Sequence, residues 1–496
     1  MRASGPVWRE QSGAPRYPQV SQDLKVDVAV VGGGITGVTV ALLLARAGKS
    51  VALLEGRRIA SGVTERSTAH LTEAVDTRYV ELERYGKETA RLVRESSRAA
   101  IELIAELSNL CEGNAGFKRV PGYLFSEDAS ETDALKAEAE AARRAGATVE
   151  VCAVPLPFAK APGVRFDNQA QIDPCAYVTA LASRIGGTNV GVFEDSMVVD
   201  IKPGEPSRVL LEHGPSILAD DVILATHAPP TKTTFQTKIA QYRSYVVAAP
   251  TSQPLDALFW DTQDPYHYIR SALIGGTPHL IIGGEDHKTG QEPDGGYDAP
   301  FERLEAYARR FAVEVTSRWS AQVVEPVDGL PYIGQPSRSE RIYVATGYSG
   351  NGTTFGTIAA MILSDQLLGR SNAYAELYRA TRFKPLASIP PLVEENVDFP
   401  LHLLRDRLHG SSKVSPTRIE NGQAAVLEID GERVACYRDE QGSLHAVSAI
   451  CTHFGCQVAF NPSERTWDCP CHGSRFGIDG TVLDGPATKR LAKRLL

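Results

Sequence analysis

The stretch Val26–Glu55, VDVAVVGGGITGVTVALLLARAGKSVALLE, constrains this chain more than any other. Val26–Val31 is a short β-branched apolar run, the composition of a strand buried on both faces. Gly32, Gly34 and Gly37 then make a G-x-G-x-x-G. Val38, Ala41, Leu42 and Ala45 recur at helical spacing, and Gly48 ends the pattern. A second apolar run, Val51–Leu54, ends on Glu55. The pattern predicts a strand–helix–strand unit with an acid at the tip of its second strand. Gly32 permits the tight turn, Gly34 lets backbone approach a pyrophosphate, and Gly37 lets the helix pack closely on the strand. The free N–H groups of the helix start, around Ile35 and Thr36, suit the phosphates of a dinucleotide. Glu55 is placed to accept hydrogen bonds from a ribose.

At 496 residues, two or three domains are expected. A net charge of −8 with no basic block argues against nucleic acid and against an anionic membrane surface. No stretch is long and apolar enough to span a bilayer, so no transmembrane segment is expected. Met1–Asp23 has no apolar core of the kind a signal peptide needs. Cys111, Cys152 and Cys175 are scattered and read as buried small side chains. Cys451, Cys456, Cys469 and Cys471 crowd near the C-terminal end, which points to a metal site rather than a secreted disulfide framework.

Along the chain, Gly56 and Arg57 open a segment rich in Arg, Ser and Thr that runs to Tyr79. It contacts phosphate or ribose, or else is a solvated loop. Glu81–Leu110 and Ser130–Ala145 have helical periodicity and suit a cap. Asp173 and Pro174 read as the N-cap and first residue of a helix. Asp195–Ile201, which includes Val199, and Ser207–Glu212 read as paired strands. Asp220–Thr226 is an apolar strand ending in the small turn at Ala225 and Thr226, and would join the first parallel sheet. Tyr242–Pro250 and Tyr266–Gly284 read as sheet of a second domain. Arg341–Thr346 leads into a second glycine-rich turn, Gly347–Gly352, and a helix over Thr354–Leu368. The start of that helix suits a negative charge on a bound ring.

On the residues GGGITG at Gly32–Gly37, DGLPYIG at Asp328–Gly334 and GYSGNG at Gly347–Gly352, the chain resembles the D-amino-acid oxidase (DAO-type) family of FAD-dependent amine oxidoreductases. The resemblance covers roughly residues 20–380. It implies FAD rather than NAD. It also implies an α/β fold, a Rossmann-like FAD-binding domain of the GR2 type with an inserted α+β substrate domain. The FAD-binding parts would lie near 25–80, 150–230 and 325–375, and the substrate or cap parts near 81–149 and 231–324. The FAD-contacting set it implies is Gly32, Gly34, Ile35, Thr36, Gly37, Glu55, Gly56, Arg57, Val199, Ala225, Thr226, Asp328, Gly347, Tyr348, Gly350, Asn351, Gly352 and Thr353. The DGLPYIG segment would run under the flavin, and the Gly347 turn would meet the isoalloxazine.

Lys384–Pro400, with Pro385, Pro390, Pro391 and Pro400, reads as a semi-rigid linker, bounding a first unit over 25–384, preceded by an extension over 1–24. Short strands with turns follow from about Ile419, the pattern of a small all-β domain. It holds CTHFGC at Cys451–Cys456 and CPCHGS at Cys469–Ser474. Two such Cys-and-His pairs suit two thiolates on one iron and two imidazoles on another, and the spacing is not that of a zinc ribbon. These boxes resemble the Rieske [2Fe–2S] family over roughly residues 405–496, which leaves 385–404 as the connection. The resemblance implies that Cys451 and Cys469 ligate one iron and His453 and His472 the other, with Cys456 and Cys471 as a disulfide. High-potential members carry a Tyr two residues after the Ser of the second box. Phe476 stands there, so a lower potential is expected. Ser474 remains to hydrogen-bond a bridging sulfide.

Together these resemblances imply a dehydrogenase. A hydride from an amine or amino-acid C–N carbon goes to FAD, and electrons leave singly through the Rieske centre to an external acceptor, whether a protein, a quinone or O2. Catalytic candidates, chosen by position, are Tyr348, His267 and Arg270. Arg270 or Arg243 would hold a substrate carboxylate bidentately, the alternative being a packing arginine. His287 and Lys288 are candidates for the flavin's surroundings, and His70 for covalent attachment. The alternatives are a flavin–Rieske electron-transfer reductase and an O2-using amine oxidase with the Rieske domain as an accessory. A reductase needs an NAD(P)H site, and no second G-x-G-x-x-G unit is visible. A Rieske oxygenase needs two His and a carboxylate on a mononuclear iron, and no close His pair stands beside an acid. The cytoplasm is the expected location.

Overall fold

A computed structural model describes residues 5–8, 15–158, 161–187, 190–230, 234–337, 340–382 and 416–495. The proline-rich linker falls outside the described residues. Strand Leu24–Val31 lies at the centre of an eight-stranded sheet, between Ser216–Leu224 and Val51–Leu54. All three are parallel, with Val31 opposite both Leu224 and Leu54. Gly191–Phe193 extends one side, and Ile342–Thr346 and Tyr332–Gly334 extend the other. The four residues of Val51–Leu54 are all buried, as a parallel strand covered on both faces requires. Helices Ile35–Arg46 and Gly352–Leu367 pack against each other and both start at the carboxyl ends of these strands. That edge is where ligands bind in open α/β sheets.

Asp173 caps helix Pro174–Ala182 by accepting from the N–H groups of Cys175 and Ala176, both at 2.9 Å. Val198–Lys202 and Ser207–Leu211 pair antiparallel. The helices expected over Glu81–Leu110 and Ser130–Ala145 settle as Lys87–Ser108 and Thr132–Arg144.

A nine-stranded sheet forms the second layer. Its path runs Ser317–Pro326, Ile239–Pro250, Thr277–Lys288, His267–Ile274, Leu258–Asp261, Lys118–Phe125, Pro162–Gln171 and His70–Leu71. Val149–Ala153 pairs on Pro162–Gln171. The stretch Tyr266–Gly284, expected as sheet of a second domain, holds two paired strands, joined where Gly275 and Gly276, with φ of +55° and +81°, form a tight hairpin turn. One feature differs from the sequence reading. The strands Val149–Ala153 and Pro162–Gln171 overlap the 150–230 part assigned to FAD, yet they pair in this second sheet.

The C-terminal unit has two small antiparallel sheets. One holds Ala424–Ile429, Glu432–Arg438 and Leu444–Ser448. The other holds Ala459–Asn461, Thr466–Asp468, Arg475–Gly477 and Val482–Asp484. Cys451, Cys456 and Cys469 lie in its core with Trp467 and Phe476.

The first glycine turn sets the tightest packing. Gly32 has φ +109°, and a Cβ there would lie 2.4 Å from the Ala225 carbonyl oxygen. A Cβ on Gly37 would lie 1.9 Å from the Gly32 oxygen. Gly37→Ala is therefore expected to destabilise the fold by about 1–3 kcal/mol through overpacking. Thermal unfolding checks it, and an unchanged first transition would contradict the close approach.

Candidate active site and cluster centre

A cavity of about 1410 Å³ opens at the carboxyl edge of the parallel sheet. Gly32–Thr36, Glu55, Gly56, Arg57, Val199, Ala225, Thr226, Tyr348 and Gly350–Thr353 line it. Helix Ile35–Arg46 begins on Gly34, with Ile35 N donating to Thr64 Oγ1 at 3.1 Å and no acid in its first turn, so a phosphate meets no competing carboxylate there. Glu55 is held at both oxygens, accepting from Gly33 N at 2.7 Å and Arg57 N at 2.8 Å. Burial raises its pKa, and these two N–H groups oppose the rise. Tyr348 shares a hydrogen bond with Thr36 at 3.1 Å, joining the two glycine-rich turns. The acid-free helix start, the oriented acid and the close glycines fit FAD.

Three expected FAD contacts lie off the cavity lining. Gly37 packs inside the fold, as described. Gly347 faces Pro326, where a Cβ on Gly347 would lie 3.1 Å from the Pro326 Cβ. Asp328 is buried and takes Arg382 Nε and Nη2 at 2.8 and 2.6 Å. Its carboxylate is thus consumed in the second sheet's junction with the first, not turned toward a ligand.

The substrate candidates are sorted by strand alternation. Tyr266 and Tyr268 line the cavity, and His267, between them, points to the opposite face. His267 Nδ1 meets Asp261 Oδ2 at 2.8 Å, Nε2 lies 3.5 Å from Glu285 Oε1, and its ring stacks on Tyr307 at 4.3 Å. Arg270 donates from Nη1 to the carbonyls of Thr68, Ala69 and Ile172 at 2.6, 2.9 and 3.1 Å. It ties the second strand layer to the His70 segment, and its pKa falls to about 9 through burial. Arg243 is buried against the C-terminal domain. His287 stacks on Tyr245 and does not line the cavity, and Lys288 does not line it either. The expectation of a catalytic His267 and a carboxylate-binding Arg270 or Arg243 is corrected on these grounds. His70 does line the cavity, sharing bonds with Thr68 Oγ1 at 3.0 Å and Ile269 O at 3.3 Å. Burial lowers its pKa to about 3, so the ring is neutral.

Sequence reasoning missed the acids of this face. Asp76 lines the cavity and accepts from Gly350 N at 2.5 Å. Its open side faces the cavity itself, so it is solvent-accessible there while lying deep in the molecule. That depth raises its pKa to about 6. Asp286 lies beside it, bonded to Ser244, with one oxygen, Oδ1, buried and without a hydrogen-bond partner. Burial first, then the Asp76 charge, raise Asp286 to about 7. Ser244 also shares a 3.0 Å bond with Tyr268 Oη. The only sequence signal was a lone Asp in each of two polar stretches.

In the C-terminal domain the four expected ligands converge from two loops. Cys451 N donates to Cys456 O at 2.8 Å, and Cys469 N to Ser474 O at 2.8 Å, so each cysteine opens a tight turn. The His453 and His472 rings lie 5.1 Å apart, nearly perpendicular. Cys456 and Cys471 form a disulfide, and the Cys469 sulfur lies within 4.8 Å of its sulfurs. Cys469 donates to Cys451, which lowers the Cys451 thiol to about 7 against the effect of burial. The N–H groups of His453 and Phe454 and the Ser474 hydroxyl also point at that sulfur. Burial lowers His472 to about 4, leaving a neutral imidazole. Two adjacent cysteine sulfurs, the Cys451 one lowered toward its thiolate by the Cys469 thiol, and two imidazoles, one of them neutral by burial, fit a [2Fe–2S] cluster. Phe476 is buried and supplies no hydroxyl.

The His267 ion pair makes a pH prediction. Burial alone would lower its pKa, but the bonds to Asp261 and Glu285 carry it up to about 9 from 6.5. The stabilisation is complete below pH 6.5 and is lost as pH rises through about 9, and amounts to about 3 kcal/mol. Denaturant unfolding should show this decline between pH 6 and 9.5 in the native chain and a flat profile in His267→Gln. The same slope in both would refute it.

Comparison with known proteins agrees with both sites. The family model described as FAD dependent oxidoreductase (DAO) matches residues 27–366, and that of the Rieske [2Fe-2S] domain matches residues 413–494. YhfW of Bacillus subtilis (strain 168), named as a Rieske 2Fe-2S iron-sulfur protein, is 31% identical over 98% of this chain and 96% of its own length. The cytochrome b6-f complex iron-sulfur subunit 2 of Synechocystis sp. is 39% identical over 14% of this chain and 38% of its own. In fold, the chain resembles glycine oxidase from Geobacillus kaustophilus, with a TM-score of 0.63, 20% identity, and coverage of 73% of this chain and 100% of that one. Among the described residues, no helix is long and apolar enough to cross a membrane. The chain belongs to the DAO-type family of FAD-dependent oxidoreductases and carries a Rieske domain that binds a [2Fe–2S] cluster.

Proposed function

We propose that this protein is a dehydrogenase that oxidises an amine or amino acid at its C–N bond and delivers the electrons, one at a time, to an external acceptor through its Rieske centre. Bound FAD supplies the hydride acceptor, and the two-iron cluster supplies a one-electron outlet. The observation that carries this reading is a shared cavity. Thr452, between the cluster ligands Cys451 and His453, lines the same space as Tyr348 and Gly350.

The chain's own residues support an amine. Asp76 offers carboxylate oxygens to a substrate ammonium, Tyr266 and Tyr268 line the same cavity, and the Asp286 carboxyl lies near enough to interact with the Asp76 charge. An Asp76 Oδ atom is the proton acceptor that turns the ammonium into the neutral amine. A pKa near 6 leaves it ionised at neutral pH yet close enough to that pH to act as a base. The neutral His70 adds no competing charge. Buried walls such as Phe166 and Leu124 exclude water from the reacting carbon. The thiols of Cys111, Cys152 and Cys436, none of them in a disulfide, support a reducing compartment, the cytoplasm.

Anaerobic screening of amines and amino acids tests the proposal. A substrate should bleach the flavin absorbance and raise the reduced-cluster EPR signal together. A fully loaded protein whose cluster stays oxidised after its flavin is chemically reduced would overturn it. For Asp76, kcat/KM should rise with pH through about 6 and then level. Asp76→Asn should lose that limb and about 10²–10⁴ of the rate. A retained limb would assign the proton to another group.

A further inference from the structure

We infer that the Rieske domain is part of the FAD-binding site, with segment Val482–Lys489 forming its outer wall and a buried ion cluster clamping that wall in place. The inference concerns cofactor retention, so it stands whichever way electrons flow.

The wall is visible in the lining. Val482, Leu483, Asp484, Gly485, Pro486, Ala487, Thr488 and Lys489 border the same cavity as Gly32–Thr36 and Glu55. The segment also touches three FAD-side elements in sequence. Thr488 Oγ1 donates to Val199 O at 3.3 Å. A Cβ on Gly485 would lie 3.3 Å from Ala228 O, in the turn that follows Ala225 and Thr226. Gln322 Nε2, from the second sheet, donates to Gly485 O at 3.2 Å and to Gly473 O, beside His472, at 2.9 Å. On the Rieske side, Ala487 N donates to Ser474 Oγ at 3.0 Å, so the wall is tied to the second cluster loop.

The clamp is a group of buried charges. Arg243 Nη1 lies 3.3 Å from Asp484 Oδ2, and Nη2 lies 3.2 Å from Glu464 Oε1. Arg475 reaches Asp468, Asp484 and Glu464 at 3.0, 3.2 and 2.9 Å. Arg66, which itself lines the cavity, comes within 4.0 Å of Asp484. Burial would raise the Glu464 carboxyl, but Arg243 and Arg475 hold it down at about 2. Removing one partner of such a cluster leaves an uncompensated buried charge, so the wall cannot lift without a large penalty. An FAD bound beneath it leaves only when the clamp opens.

The test uses the full-length chain loaded with both cofactors. The dissociation constant for FAD is measured by flavin fluorescence on dilution, with cluster EPR and circular dichroism recorded on the same samples. Arg243→Met removes the two interdomain pairs that Arg243 makes, with near-equal volume, and should raise the FAD dissociation constant by about tenfold or more. The double variant Thr488→Glu with Lys489→Glu puts two negative charges at the rim, where folding is least exposed to error. It should do the same while the cluster signal stays native. If Arg243→Met does not fold, the rim variant decides. A rim variant with native circular dichroism and cluster signal, and an FAD dissociation constant within twofold of the parent, overturns the inference.

Discussion

Arg66, Arg243 and Arg475, set among Glu464, Asp468 and Asp484, are the contact on which the arrangement of this molecule depends. Two of these arginines come from the FAD-side chain and one from the Rieske domain. Buried charges of this kind contribute little net stability compared with an apolar core of the same volume, but they tolerate only one geometry. That intolerance is their use here. A hydrophobic interface would allow the small domain to slide, whereas each guanidinium fork accepts its carboxylates from one direction. The two redox sites therefore stand on one cavity in a fixed relation, and the second cluster loop rests at Gly473 on Gln241 and Gln322 of the second sheet.

On the opposite side of the cavity, the same sheet separates structural from chemical duties by alternation. His267 and Glu285 turn away into an ion pair, while Tyr266 and Tyr268 turn toward the FAD side, with Asp286 near Asp76. Arg270 spends its donors on three backbone carbonyls, which anchors the strand that carries both tyrosines. A cationic residue next to a reaction centre is not, by that alone, part of it. Here the direction of the side chain decides, and direction follows from the pleat.

The parts of the site that were legible in the sequence share one property. Gly32, Gly34 and Gly37, Glu55, and the CTHFGC and CPCHGS boxes are local patterns in which the chemistry and the spacing coincide. The helix N-cap at Asp173 was readable for the same reason. Several residues that were misplaced or missed belong to long-range arrangements. Asp328 has its partner at Arg382, Arg243 has its partners at Glu464 and Asp484, and Asp76 meets Gly350. None of these separations leaves a periodic mark. The strands Val149–Ala153 and Pro162–Gln171 likewise joined the second sheet because their partners, not their composition, decided the pairing.

By itself, the sequence determined which groups this protein binds: a glycine turn with an acid at the end of the next strand admits a dinucleotide, and two Cys–His boxes admit a two-iron cluster, because each is a pattern carried within a short stretch of chain. Only the tertiary structure decided which side chains face the substrate and how the two centres are joined. Those outcomes rest on strand pairing and on buried charges that meet across hundreds of residues, where burial and direction, rather than residue type, set the chemistry.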